Sequence, residues 1–216
     1  MIRIACIVIG YVFGIFQTAF IYGKMNGIDI RDHGSGNAGT TNALRVLGKK
    51  AGIIVFFGDA LKCLFAMLFV QLLFGKSHPD MAALLRIYAG LGAVLGHNFP
   101  FYMGFKGGKG IAATGGMSLG MAWQCVLCVA IAFFGIFLTT HYVSLGSLVM
   151  YVVFVISLVV MGQTGCFAMP APYLYEMYAI AVFLMIMAFV RHRSNISRLI
   201  HKNERKTYLI KKNKAD

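Results

Sequence analysis

Long apolar runs separated by short polar segments dominate the chain. Seven runs stand out by apolar density, at residues 2–22, 51–74, 81–100, 111–122, 124–139, 143–163 and 174–190. About 20 helical residues cross the ~30 Å hydrocarbon core of a bilayer. The run at 111–122 is short for this and is expected to be broken or partly embedded. Residues 111–190 could hold two or four crossings, and apolar density favours four. The pattern therefore predicts an all-α polytopic membrane protein with about seven transmembrane helices.

The composition excludes a water-soluble domain. Hydrophobic residues make up 59% of the 216 residues and charged residues only 12%, against about 25% charged in soluble proteins. Between Ile111 and Val190 the single formally charged residue is Glu176. No water-facing surface can be built from such a stretch, so membrane insertion is the remaining class.

The charges predict an orientation. Basic residues next to apolar runs mark the cytoplasmic side, and they cluster in the loop after the first run and after Val190, where the basic tail includes Lys211, Lys212 and Lys214. The N-terminus is thus predicted outside and the C-terminus in the cytoplasm. We divide the chain into one transmembrane domain, residues 1–199, and a basic cytoplasmic tail, residues 200–216. The net charge of +13 is read as a topology signal that also attracts anionic headgroups, and no nucleic-acid partner is predicted.

Three polar segments interrupt the apolar pattern. The first polar segment, residues 34–45, has glycines and short hydrogen-bonding side chains and ends at Arg45. The second polar segment, residues 105–110, reads Phe-Lys-Gly-Gly-Lys-Gly. Closely folded glycine backbones can turn several N–H groups toward an anion, and Arg and Lys add positive charge. The third polar segment, residues 191–195, holds His192 and Asn195 three residues apart, on one face if the helix continues. All three are predicted to face the cytoplasm.

Two further features lie inside or at the end of apolar runs. Asp59 and Lys62 share a helical face, and a charged pair at this depth is either a structural ion pair, with the lysine reaching toward the interface, or part of a polar site. His97 lies near the end of the run that Pro100 closes. Arg191 and Arg193 are expected to point away from His192 and to act as interfacial anchors. No cluster of side chains suggests a metal, and no cofactor is predicted.

The ordered motifs resemble one family. They are Gly34-Ser-Gly-Asn-x-Gly-x-Thr-Asn42 with Arg45, then Gly96-His-x-Phe-Pro100 and Phe105-Lys-Gly-Gly-Lys-Gly110, then His192-Arg-x-Asn195-Ile-x-Arg-Leu199. In these the chain is similar to the bacterial membrane glycerol-3-phosphate acyltransferases that use acyl phosphate, the PlsY family. Two positions depart from its pattern. Cys63 stands where a glycine is usual, and His141 stands where an arginine is usual.

The resemblance implies a reaction, a location and partners. A fatty acyl group would pass from acyl phosphate to the sn-1 hydroxyl of glycerol 3-phosphate, giving lysophosphatidic acid and phosphate. The enzyme would lie in the bacterial inner membrane with its active site facing the cytoplasm. Its partners would be glycerol 3-phosphate, a long-chain acyl phosphate and the lipid bilayer, with the soluble enzyme that makes acyl phosphate as a further candidate. The competing interpretation is an organic-phosphate transporter, which would place charges near the bilayer midplane.

The resemblance also assigns residues. The catalytic set is Ser35, Arg45, Lys109, His192 and Asn195. The substrate- and phosphate-binding set is Gly34, Ser35, Gly36, Asn37, Thr41, Asn42, Arg45, His97, Lys106, Gly107, Gly108, Lys109 and Gly110. Two proton acceptors stay open: His192 as general base, or an oxygen of a substrate phosphate. A covalent mechanism through Ser35 is the least favoured, since the sequence fixes no histidine beside it.

Overall fold

The fold is entirely helical over the residues that the structure describes. The structure is a computed structural model and describes residues 1–208. Lys211, Lys212 and Lys214 of the predicted tail lie outside the described residues. Within residues 1–208 there is no β-strand, and the α-helices are α1 (Ile2–Gly14), α2 (Thr18–Met25), α3 (Thr40–Leu47), α4 (Lys49–Phe74), α5 (Ala82–Asn98), α6 (Ile111–Met121), α7 (Trp123–Thr140), α8 (Val143–Gln163), α9 (Ala171–Arg191) and α10 (Arg193–Ile200).

Five segments are long and apolar enough to cross a membrane, among the residues described. They are Ile2–Met25, Lys49–Phe74, Trp123–Thr140, Val143–Gln163 and Ala171–Arg191. The other two predicted spans correspond to α5, with 17 residues, and α6, with 11 residues. At 1.5 Å per residue α6 is only about 16 Å long, and so it is as short as the sequence indicated.

The first predicted span is not one continuous helix. Residues 2–22 were expected to form one span and correspond to the candidate span Ile2–Met25, but within it α1 ends at Gly14 and α2 begins at Thr18. Between them the fully buried Gln17 donates its side-chain N–H to the carbonyl oxygens of His97 (2.9 Å) and Gly96 (3.3 Å). The break therefore places an amide against the end of α5, where the last carbonyls lack partners within the helix.

Helix α5 is held in the centre of the fold by close contact with α1. A Cβ atom added at Gly10 would lie 2.0 Å from the carbonyl oxygen of Ala89, and one added at Gly92 would lie 2.1 Å from the carbonyl oxygen of Ile7. Glycines on both helices thus let the two backbones touch, as small residues do in membrane helix pairs. This packing fixes the end of α5 that carries His97.

The charged pair on α4 is a buried ion pair. The Nζ atom of Lys62 lies 2.9 Å from Oδ1 of Asp59 and 2.9 Å from Nδ1 of His97. Asp59 also accepts a hydrogen bond from the hydroxyl of Thr18 (3.1 Å). Since the ammonium donates to Nδ1 of His97, the neutral imidazole carries its proton on Nε2. The pair thus links α2, α4 and α5 directly beneath the site described next.

Candidate active site

The three polar segments meet around one cavity of about 1260 Å³. Every residue of the two predicted sets contributes to its wall except Gly108, which lies just behind it. Segments about 60 and 80 residues apart in the sequence therefore lie on one cavity. The individual roles given to these residues remain predictions.

In the first polar segment, Asn42 organises the loop from within. Its side chain is buried, accepts a hydrogen bond from the backbone N–H of Ser35 (2.9 Å), and donates to the carbonyl oxygens of Ile30 (3.1 Å) and His33 (3.0 Å). Gly34, in the left-handed region at φ 60°, approaches the same side chain so closely that an added Cβ would lie 2.4 Å from it. Asn42 thus positions the loop, while Ser35 is exposed to the cavity.

The second polar segment packs on the end of α5. The backbone N–H of Gly108 donates to the carbonyl oxygen of His97 (3.1 Å). The guanidinium of Arg191 donates to the carbonyl oxygens of Gly107 (3.1 Å) and Gly108 (2.7 Å). These bonds occupy both carbonyls of the glycine pair, and they hold the loop where Lys109 enters the cavity just before the N-terminus of α6. A helix N-terminus favours negative charge.

Arg191 corrects one expectation from the sequence. We expected it to point away and anchor the interface, but it lines the cavity and binds the second polar segment. The expectation was wrong because the partner of Arg191 lies far away in the sequence. The carbonyls that it binds belong to Gly107 and Gly108, and only the packed structure brings that loop beside the end of α9. Arg193 is exposed and is not among the residues that line the cavity.

A glycine-to-alanine change tests this packing. A Cβ atom at position 108 would lie 2.0 Å from Nε2 of His97, which the ion pair beneath holds in place. We expect Gly108→Ala to lower the stability by about 1–3 kcal/mol through overpacking, seen as a lower midpoint of thermal unfolding in detergent. Gly135→Ala is the matched control, because nothing lies within 4 Å of its added Cβ. Equal midpoints for the two variants would contradict the described packing.

In the third polar segment, His192 at the junction of α9 and α10 and Asn195 on α10 both line the cavity. Nδ1 of His192 lies 2.8 Å from the carbonyl oxygen of Ala188, so the neutral ring carries its proton on Nδ1 and leaves Nε2 as an acceptor. Burial, helped by the charge of Lys109, lowers the pKa of His192 to about 4. The Oδ1 atom of Asn195 accepts a hydrogen bond from the ammonium of Lys109. The second and third polar segments are thereby joined.

Several residues of the wall were missed by the sequence analysis. They are polar side chains from α8, α10 and the segment after it, namely Ser144, Ser147, Ser194, Arg198, Glu204, Arg205 and Thr207. No local pattern distinguishes a serine at the start of a membrane helix or a glutamate in a basic tail. Two of these residues did carry a signal, since Arg198 lies within the third motif and Ser144 lies in Tyr142-Val-Ser-Leu145, which also resembles the family.

One side of the cavity is apolar and opens between helices. It is formed by α4, α6 and α7, through residues that include Ile53, Phe57, Leu61, Leu64, Leu119, Val126, Ala130, Phe133 and Phe134. Several of these side chains are exposed, among them Phe57, Leu61 and Leu119. Polar groups that favour anions thus border directly on a surface that favours hydrocarbon.

These features define a helical membrane protein with a basic site beside an apolar groove, and comparison with known proteins gives the family. The family model "Glycerol-3-phosphate acyltransferase" matches residues 4–202. The chain belongs to this family. The motifs therefore identified the family correctly.

Individual relatives are similar over nearly their whole length. "Glycerol-3-phosphate acyltransferase 2" of a Bacillus cereus strain is 40% identical over 210 residues, 96% of each chain. "Glycerol-3-phosphate acyltransferase" of Alkaliphilus metalliredigens is 39% identical over 208 residues, covering 95% of this chain and 96% of the relative. A crystal structure of PlsY (YgiH), an integral membrane glycerol 3-phosphate acyltransferase in its glycerol 3-phosphate form, has a TM-score of 0.82 at 32% identity, covering 95% of this chain and 96% of that one. Its lysophosphatidic acid form has a TM-score of 0.80 at 31% identity, covering 96% of each chain.

Proposed function

We propose that this protein transfers a fatty acyl group from acyl phosphate to the sn-1 hydroxyl of glycerol 3-phosphate, yielding lysophosphatidic acid and inorganic phosphate. The observation that carries the proposal is the junction of a basic pocket with an apolar groove in one cavity. One substrate is water-soluble and anionic, and the other joins a phosphate to a fatty chain. A site at the boundary between polar and apolar walls suits both.

The charge of the cavity favours two phosphates close together. The basic residues in its wall are Arg31, Arg45, Lys49, Lys106, Lys109, Arg191, Arg198 and Arg205, and the acidic ones are Asp59 and Glu204. This excess of positive charge offsets the repulsion between two anions, and charged hydrogen bonds to phosphate are about twice as strong as neutral ones. We assign Ser35, Arg45 and Lys109 to phosphate binding. We assign Asn37, His192 and Asn195 to orienting the glycerol hydroxyl or the second phosphate.

The reaction needs little covalent chemistry from the protein. The glycerol hydroxyl attacks the acyl carbonyl carbon, a new C–O bond forms, and the bond to phosphate breaks with its electron pair leaving on phosphate. An acyl phosphate is already activated, so positioning and charge stabilisation supply most of the acceleration. The hydroxyl proton goes either to Nε2 of His192 or to a phosphate oxygen. Nε2 can accept it because the neutral ring carries its proton on Nδ1. Among the described residues no histidine is hydrogen-bonded to Ser35, which keeps the covalent mechanism least favoured.

The role of His192 can be tested by pH. Its depressed pKa keeps the ring neutral, and able to accept a proton, at any pH above about 4. If it is the base, log kcat/KM should fall as the pH drops through that value in the wild type, and this acid limb should be absent in His192→Gln. Profiles of the same shape in both proteins would assign the proton to phosphate. Stability at low pH is checked in parallel by circular dichroism.

The charge of Lys109 predicts that kcat/KM decreases at alkaline pH. Burial lowers the pKa of Lys109 to about 8, although Glu204 partly opposes the shift. The ammonium is thus present below pH 8 and lost above it, so kcat/KM should fall as the pH rises through about 8. Lys109→Arg keeps its charge at every accessible pH. Its profile should stay flat to about pH 10, whatever its absolute rate, and an alkaline limb unchanged by the substitution would contradict the prediction.

The topology that we propose has seven crossings, with the N-terminus outside and the site in the cytoplasm at the inner membrane. Lys109 contacts Asn195, so the four helices from α6 to α9 leave one end of the protein and return to it. The presence of four helices in this interval, rather than two, supports the count that apolar density favoured. Labelling of cysteines introduced at Lys24 and Lys76 from either side of the membrane checks the orientation.

A measurement of which acyl donor the protein uses distinguishes the proposal from its alternatives. Purified protein in detergent or lipidic mesophase is mixed with glycerol 3-phosphate and either palmitoyl phosphate or palmitoyl-CoA, and phosphate and lipid product are followed. We expect product from palmitoyl phosphate only, and its loss in Arg45→Ala. Product from palmitoyl-CoA alone would overturn the assignment of acyl phosphate as the donor. No product from either donor, with folded protein that moves organic phosphate across vesicles, would favour the transporter.

A further inference from the structure

The segment after α10 turns back across the site. We call residues 201–208 the return segment. Thr207 is fully buried, its backbone N–H donates to the carbonyl oxygen of His141 (2.9 Å), and its hydroxyl accepts from the guanidinium of Arg45 (2.6 Å). The ring of Tyr208 lies 4.7 Å from that of His141 between centroids. This part of the predicted basic tail thus packs against His141, in the turn between α7 and α8, and binds Arg45.

Glu204 is the buried anion of the return segment. Its side chain is 5% exposed. One carboxylate oxygen, Oε1, accepts from the amide of Asn195 (2.7 Å) and from the hydroxyl of Ser144 (2.9 Å), and the other, Oε2, accepts from Nε of Arg198 (2.7 Å). The carboxylate therefore links α8, α10 and the return segment through three donors. A buried charge with this many partners is well satisfied.

The contact with Asn195 has a directional consequence. An amide side chain has a donating NH₂ end and an accepting oxygen end. Because the carboxylate of Glu204 can only accept, it selects the NH₂ end, and the Oδ1 end must then face Lys109, as observed. Without the carboxylate the amide could turn, and its NH₂ group would then meet the Lys109 ammonium donor to donor. The order Glu204–Asn195–Lys109 thus sets the position of the lysine.

We propose that Glu204 is a positioning residue for acyl transfer, acting through Asn195 to hold the Lys109 ammonium where the substrate phosphate binds. The inference rests on the proposed function for the identity of that phosphate. The carboxylate does not block the site, since the cavity of about 1260 Å³ remains with Glu204 and Thr207 in its wall. An acid in a phosphate site would otherwise only weaken anion binding.

A double-mutant cycle tests whether Glu204 acts through Asn195. We expect Glu204→Ala to lower kcat/KM for glycerol 3-phosphate roughly 10- to 100-fold, the range for losing a hydrogen bond to a charged group. In an Asn195→Ala background the same change should cost less than about threefold. Equal losses in both backgrounds, or no loss in the first, would overturn the proposal. A purely structural role of Glu204 predicts equal losses.

Two further variants test whether the loss of kcat/KM is due to the hydrogen bond between Glu204 and Asn195. Glu204→Gln keeps one accepting oxygen and the shape of the side chain, so it should recover part of the lost kcat/KM and serves if Glu204→Ala does not fold. A Gln variant as weak as the Ala variant, with normal thermal stability, would count against the hydrogen bond to Asn195. Asn203→Ala is the matched control, because that side chain is exposed next to Glu204 and its loss should leave kcat/KM unchanged.

The cycle separates this proposal from the donor assignment. It is run with whichever donor the wild type uses. If the wild type is inactive with both donors, the proposed function fails, and the same four proteins are compared by calorimetric titration with glycerol 3-phosphate. The Kd should then rise in Glu204→Ala but not further in the Asn195→Ala background. Additive changes in Kd would overturn the role of Glu204 on their own.

Discussion

Replacing Lys109 by methionine should lower kcat/KM by roughly 100- to 1000-fold, the usual cost of removing one group that stabilises developing negative charge. Methionine keeps much of the length of the side chain but removes the ammonium. That ammonium is bound to Asn195, which Glu204 holds in turn, at the tip of a loop fixed by Arg191 and by the end of α5. The rate loss is measured with glycerol 3-phosphate varied at saturating acyl donor.

The control for this prediction is the same substitution at a lysine far from the site. Lys76 is exposed in the turn between α4 and α5 and is absent from the cavity wall. Lys76→Met should retain the wild-type kcat/KM within about twofold, as expected for a surface position away from the chemistry. A Lys109→Met protein that is folded and loses less than about tenfold would show that the other basic residues suffice without Lys109.

Replacing Asp59 by asparagine should destabilise the protein by about 3–5 kcal/mol, the range for removing one partner of a buried ion pair. The ammonium of Lys62 would lose its counter-charge while remaining buried between α4 and α5, with the ring of His97 at 2.9 Å. The midpoint of thermal unfolding in detergent should fall clearly. Adding Lys62→Met to Asp59→Asn should recover much of the loss, because no unpaired charge is left.

An ion pair that is only partly buried provides the comparison, and its Glu176 also accepts a hydrogen bond from the hydroxyl of Tyr88. Arg3 and Glu176 make two hydrogen bonds, at 2.6 and 2.8 Å, but their side chains are 38% and 29% exposed. Glu176→Gln should therefore cost no more than about 1 kcal/mol. If Asp59→Asn were as mild as Glu176→Gln, the pair on α4 would not be the structural element that its burial indicates.

The helices were predictable because their cause is local. In a bilayer a chain must satisfy its own backbone hydrogen bonds, so each long apolar run becomes a helix, and the runs at 124–139, 143–163 and 174–190 match α7, α8 and α9 closely. The break at Gln17 was not predictable in the same way. It involves hydrogen bonds to buried carbonyls at the end of α5 that lack partners within the helix, about 80 residues away.

The site was predictable in its parts. Glycine, lysine and arginine at fixed spacings indicate anion binding through local backbone geometry, and the first and second polar segments indeed lie on the cavity. The sequence could not separate residues that face the cavity from those that shape it. Asn42 illustrates this, since its buried amide bonds to Ser35, Ile30 and His33 of the preceding loop, although its motif also fits a binding residue.

The sequence by itself determined the membrane class, the helical architecture and three polar segments with the chemistry for phosphate. These follow from apolar runs and from local side-chain chemistry, which the chain carries wherever it folds. The tertiary structure alone decided that α9 ends at Arg191, that Arg191 binds the glycine pair, and that Glu204 returns from the basic tail to accept a hydrogen bond from Asn195. Each of these depends on a contact between distant segments, and the energy of such a contact exists only once the helices are packed together.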